Sequence, residues 1–107
     1  MRTVHTAQLF PQDPVLAGSL VNGYVDGEPI AVECQVTPSD ATTVFDAFAV
    51  ETKNPWLLMA NPGPQDLFVP GAEVEWMGRR YSVAAPARAF LGFGATDHFS
   101  APLEAID

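Results

Sequence analysis

The chain has 107 residues, with 13 acidic against 5 basic side chains and a net charge of −8. That length favours one domain with a core large enough to fold unaided, and the single cysteine, Cys34, excludes an internal disulfide framework. The acidic balance argues against a protein that grips phosphates or nucleic acid, yet suits one whose walls DNA slides past.

Residues 1–18 read as an N-terminal arm. No basic stretch followed by an apolar one opens the chain, and no apolar run is long enough to span a bilayer, so a cytosol-like compartment is expected. "SLVNGYV" (Ser19 to Val25) is strand-like and runs into the turn signal "DGEP". "IAVECQV" follows, with Ile30, Val32, Cys34 and Val36 alternating with Ala31, Glu33 and Gln35. This period of two predicts a half-buried antiparallel strand, paired in a hairpin with Ser19–Val25. "TPSDATTVFDAF" (Thr37 to Phe48) breaks the alternation. Ser39 or Asp40 can cap a helical turn, but Thr42, Thr43 and Val44 are branched and weaken a longer helix. The segment therefore reads as one long inserted loop with at most a short helical piece, removable without unfolding the rest.

"PWLLMA" (Pro55 to Ala60) reads as a short apolar strand and "NPGPQD" as a rigid turn. "GAEVEWMGRRYSV" (Gly71 to Val83) has the pattern of a hairpin. A two-residue loop at Met77-Gly78 sets Val74 against Tyr81 and Trp76 against Arg79. A four-residue loop sets Trp76 against Tyr81. Both put Val74, Trp76, Tyr81 and Val83 on one face. A Gly-punctuated stretch, "ARAFLGFGATDHF", precedes "SAPLEAI", which reads as an edge strand starting at Pro102. Short strands separated by turns predict an all-β fold, a small single-domain antiparallel β-barrel or sandwich.

Little here suggests catalysis. His5, His98 and Cys34 lack metal-ligand spacing, and Cys34 falls on the buried phase of its strand. No nucleophile elbow is present, and "GFGAT" is a glycine pair without the rest of a phosphate loop. Neither enzyme activity nor a metal or cofactor is expected. Arg79, Arg80 and Arg88 are three of the five basic residues. They read either as a solvated tip and a surface arginine, or as contacts to an acidic face of another subunit. Trp56 and Trp76 read as core, with an interface anchor as the alternative.

The runs "PWLLMANP", "DLFVPGAEVEWMGRRYSVAAPARAF" and "TDHFSAPLEA" together resemble the head-closure proteins of tailed bacteriophages, also called stopper or head-tail joining proteins. "VECQVTPSDATTVFDAF" is similar to that family's preceding strand and long loop. The resemblance covers most of the chain after Ser19. It implies a homo-oligomeric ring, a hexamer or dodecamer, that sits below the portal and adaptor of a filled head. The ring closes the DNA exit channel, presents a docking surface to the tail terminator, and lets double-stranded DNA pass without binding it specifically. Its location is then the virion neck, after assembly in the host cytoplasm and away from membranes. By position, the loop with Ser39, Asp40, Val44, Phe45, Asp46 and Phe48 matches the family's gate. Arg79, Arg80 and Arg88 become candidate contacts between subunits. The alternatives are a tail-terminator or tail-completion ring and, further off, a small metal-binding or hydrolytic barrel. The subunit alone is expected to be a monomer or weak oligomer, with the ring forming on the adaptor.

Overall fold

A computed structural model describes residues 5–90 and 98–106. In chain order its elements are strands β1 (His5–Phe10), β2 (Gln12–Ala17), β3 (Leu20–Asp26) and β4 (Ile30–Pro38), helix α1 (Ala41–Phe48), then β5 (Pro55–Ala60), a 3-10 turn (Pro64–Leu67), β6 (Glu73–Trp76), β7 (Arg79–Val83), β8 (Arg88–Phe90) and β9 (His98–Ala105). Alternating apolar residues drive closure. Ala7 and Leu9 of β1, Val32, Cys34 and Val36 of β4, Leu58 and Ala60 of β5, and Val74 of β6 are all buried. So are Tyr81 and Val83 of β7 and Phe99, Ala101 and Leu103 of β9. Each set repeats every second residue, so all of them point into one interior.

The strands run in the order β5-β4-β1-β6-β7-β9, and β9 pairs back to β5, which closes an antiparallel barrel of six strands among the described residues. Closure leaves these strands without a free edge. β8 extends β9 beside β7, pairing Arg88 with Ser100 and Phe90 with His98. The all-β single-domain expectation holds, with the barrel as its form.

The β6–β7 hairpin takes the two-residue register: Val74 faces Tyr81 and Trp76 faces Arg79. Met77 and Gly78 have φ of 53° and 74°, the pair of positive values that a tight turn between twisted strands requires.

Three expectations need correction. The N-terminal arm is a barrel strand from His5 onward, because Ala7 and Leu9 supply a buried face between β4 and β6. The alternating strand is real, but β4 pairs with β1 and β5 and not with Ser19–Val25. That segment, as β3, pairs with β2 in a separate two-stranded ribbon. Gly27 explains the corner: its N–H donates to Pro11 O at 2.6 Å, and a Cβ there would lie 2.9 Å from that oxygen and from Asp13 Oδ2. The chain is thereby pinned to the end of β1 and enters β4 at an angle, instead of folding back along itself.

The expected insertion is present between β4 and β5, at residues 39–54, and its short helical piece is α1. β4 continues to Pro38, and Ala41–Phe48 forms two turns of α-helix. Finally, β9 is a central strand shared by β5, β7 and β8, and Pro102 lies within it, fully buried. Ala84 N–H donates to Pro102 O at 2.9 Å. The N–H that proline lacks thus faces the break between β7 and β8, where the ladder loses nothing.

Candidate functional site

The ribbon is the part of the molecule that the core does not explain. Every residue of β3 is exposed, and so is every residue of β2 beyond Gln12. Leu16 is 61%, Leu20 73% and Tyr24 64% accessible, and Val15, Val21 and Val25 are also open to solvent. The register places Pro14, Ala17, Leu20 and Tyr24 on one face and Leu16, Val21 and Val25 on the other, with a bulge between Pro14 and Leu16. Both faces are therefore apolar near the tip, and no other described residue covers either. An isolated two-stranded hairpin is marginal in water. From Pro14 to Val25 there is no charged residue, although the chain carries a net charge of −8. The molecule measures 49 Å along its long axis against 27 and 26 Å across.

The ribbon's base is held firmly. Gln12 Nε2 donates to Asp26 Oδ1 at 2.8 Å, and the Arg80 guanidinium pairs with Asp26. Arg80 also stands 3.7 Å from Glu73 and 4.1 Å above the ring centre of Phe10. The Gln12 hydrogen bond, followed by the Arg80 contact, holds the Asp26 carboxyl below its ordinary range. Beside the base opens a cleft of ≈ 470 Å³ bounded by Tyr24, Leu67, Val69, Pro70 and Glu73. Leu67 and Val69 are exposed there.

The expected gate residues lie on the opposite flank of this arrangement. Asp40 caps α1: its Oδ1 accepts from Thr43 N–H at 2.8 Å and its Oδ2 from the Thr43 hydroxyl at 2.9 Å. Ser39 N–H donates to Pro55 O, at the start of β5. The far end is clamped by Arg88, whose Nη1 donates to Ala47 O at 2.6 Å. Ser100 and Pro102 are buried although they occupy the outward phase of β9, and Arg88 is paired with Ser100. The segment is thus tied to the start of β5 through Ser39 and to β8 through Arg88, and the helix shares a depression with Glu104 of β9. Val44 is buried and Phe48 half-buried, while Phe45 and Asp46 face solvent. Of the gate set, Phe45 alone is an exposed large apolar side chain. It borders a shallow depression of ≈ 680 Å³ with Thr42, Thr52, Lys53 and Glu104.

The basic residues separate in the same way. Arg80 and Arg88 are held by the partners described, and Arg79 is exposed at the hairpin turn. Arg80→Glu sets a new carboxylate against Asp26 and Glu73 and removes the Phe10 contact. Its expected effect is a melting point several degrees lower and faster proteolysis inside the ribbon, with a much smaller change for Arg79→Glu. Thermal melts and limited proteolysis of the two variants check this.

Two carboxyls set the acid response. Thr43 hydrogen bonds lower the pKa of Asp40, as Gln12 and Arg80 lower that of Asp26. A depressed folded pKa gives stability that is complete above the unfolded value of 3.8 and is lost as pH falls through the folded one. Melting points are therefore expected to fall between about pH 5 and about pH 2, and the fall should be shallower in an Asp26→Asn, Asp40→Asn double variant. Both groups are exposed, so salt should damp the Arg80–Asp26 share of the effect.

No catalytic set assembles among the described residues. Cys34 is buried, and burial pushes its thiol up to about 11, so it stays protonated at neutral pH. No group of three or more His, Cys, Asp and Glu residues could hold a metal among the described residues. His5 packs edge-on against Trp76 at 4.9 Å, and Trp56 packs against Tyr81 at 5.4 Å. These rings close the barrel end opposite the ribbon. Trp56 and Trp76 are half-buried there and pack on the core. His98 is a half-buried residue of β9. The glycine-rich stretch at Gly92 and Gly94, with Asp97, lies outside the described residues. No helix among them is long and apolar enough to cross a membrane.

The fold and surface define a class, a small closed β-barrel that carries an uncovered apolar ribbon. No known protein-family model matches the chain, and no curated protein is similar to it. Sequence reasoning passed over Leu16, Leu20, Val21, Tyr24, Leu67 and Val69. The signal for the first four was the uncharged run from Pro14 to Val25 in so acidic a chain.

Proposed function

We propose that the chain is a structural subunit of a phage neck, a head-closure protein that forms a ring below the portal and adaptor and receives the tail. One observation carries the assembly part of this reading. The barrel is complete without the ribbon, yet the ribbon exposes Leu16, Leu20, Val21, Tyr24 and Val25 on two faces. A subunit destined for a ring has a use for such a surface; a free-standing barrel is only put at risk of aggregation by it. The net charge of −8 suits a channel wall past which DNA moves without being held. The resemblance of the chain after Ser19 to head-closure proteins supplies the phage context.

In this reading the Ser39–Phe48 segment braces the barrel, and closure comes from the assembled ring rather than from a swinging loop. A phage lacking the gene should package DNA and then lose it, leaving emptied heads beside free tails. Quantitative mass spectrometry of tailless, DNA-filled heads should find the chain in stoichiometric amounts. Its presence on free tails and absence from filled heads would assign it to the tail end instead.

A further inference from the structure

The ribbon's tip and the cleft at its base are two halves of one contact. The tip, around the Gly18-Ser19 turn, presents Leu16, Leu20 and Val21 and carries no charge. The cleft presents Leu67, Val69, Pro70 and the ring of Tyr24. Among its described lining residues the one charged group, Glu73, is already faced by Arg80 at 3.7 Å. Tip and cleft are separated by the length of β3, about 20 Å at the rise of an extended strand. The ribbon is anchored at Asp26 and Gly27, so its own tip cannot fold back into its own cleft.

We infer that the ribbon tip of one copy seats in the cleft of a second copy. Charge favours this occupant. Two copies of a chain with a net charge of −8 repel wherever acidic surfaces meet, and these two patches let them approach without bringing unpaired charges together. A partner selected by opposite charge would need acids on the tip, and it has none. The two patches differ, so the contact is head-to-tail and leaves each copy with one free tip or one free cleft. Such a contact propagates, and it closes into a ring if the rotation between copies allows. The inference rests on the reading of the chain as an assembly subunit and adds the contact that joins the copies.

Complementation tests it. Leu20→Asp disables the tip and leaves the cleft intact; Val69→Asp does the reverse. Both positions are exposed, so both variants should fold, and circular dichroism checks that they do. In sedimentation experiments up to millimolar protein, the wild type should associate with concentration and each variant alone should do so at least about tenfold more weakly. Mixed together, the two variants should form a one-to-one dimer that grows no further, because a sound tip meets a sound cleft only once. In a second measurement, Leu20→Cys mixed with Val69→Cys should oxidise mainly to the mixed disulfide dimer. Unchanged association of Leu20→Asp, failure of the mixture to dimerise, preference for Leu20→Cys homodimers, or a wild type monomeric at millimolar concentration would each overturn the contact. Location on tails instead of heads would revise the proposed function and leave this contact standing.

Discussion

Tyr81→Ala is expected to destabilise the protein by about 3–5 kcal/mol, a large part of the stability of a domain this size. Tyr81 is among the largest fully buried side chains. It faces Val74 across the hairpin, pairs with Ala105 of β9 on its other side and packs edge-on against Trp56 at 5.4 Å. Truncation opens a void where three strands meet, and hydrogen-bonded strands cannot close over it without breaking register. Its hydroxyl is buried without a protein partner among the described residues. Tyr81→Phe is therefore expected to stay within about 1 kcal/mol of wild type, since it removes a group that makes no bond to the protein. Urea unfolding of the two variants checks both values. A Tyr81→Ala variant with wild-type stability would show that the barrel end is not packed as described.

Replacing residues 13–25 with a short Gly-Ser turn is expected to leave the barrel folded and abolish assembly. The ribbon adds nothing to the buried core, and the cut keeps Gln12, Asp26 and Gly27, so the ties to Arg80 and Pro11 survive. The unfolding midpoint should change little, while, on the proposed head-closure function, heads made with this protein should leak DNA as though it were missing. Removal of 41–48 should do the opposite. The cut removes the buried side chain of Val44 and the Ala47 carbonyl that anchors Arg88, so the protein should become insoluble or molten. Melting curves and DNA retention by heads separate the two deletions. A stable protein after loss of 41–48, with leaking heads, would restore the gate to that segment.

The barrel was legible where the period of two was clean. Val32, Cys34 and Val36 alternate without interruption, and Met77-Gly78 fits the tight turn that fixes the hairpin register. Partner choice was not legible. β4 has an apolar face that β1, β3 or β5 could satisfy equally well by pattern, and the outcome turns on Gly27, whose close approach to Pro11 is a tertiary fact. Pro102 reads as an edge marker because proline breaks ladders, and only the gap between β7 and β8 makes it tolerable mid-strand. Thr42 and Thr43 argue against a helix by propensity, but the Asp40 cap and the Arg88 clamp outweigh them. Arg80 looked free because its partner Asp26 is far away in sequence. Leu20, Val21, Tyr24 and Val25 read as one strand of an ordinary hairpin and Leu16 as part of an N-terminal arm, and exposure on both faces appears only in the folded structure.

Density for an assembled neck tests the central proposal most directly. The expected result is a ring of these barrels beneath the adaptor, each with its 12–26 ribbon laid on the next copy against Leu67 and Val69. A neck without this chain, or a ring whose barrels meet through other faces while the ribbons point into solvent, would contradict it.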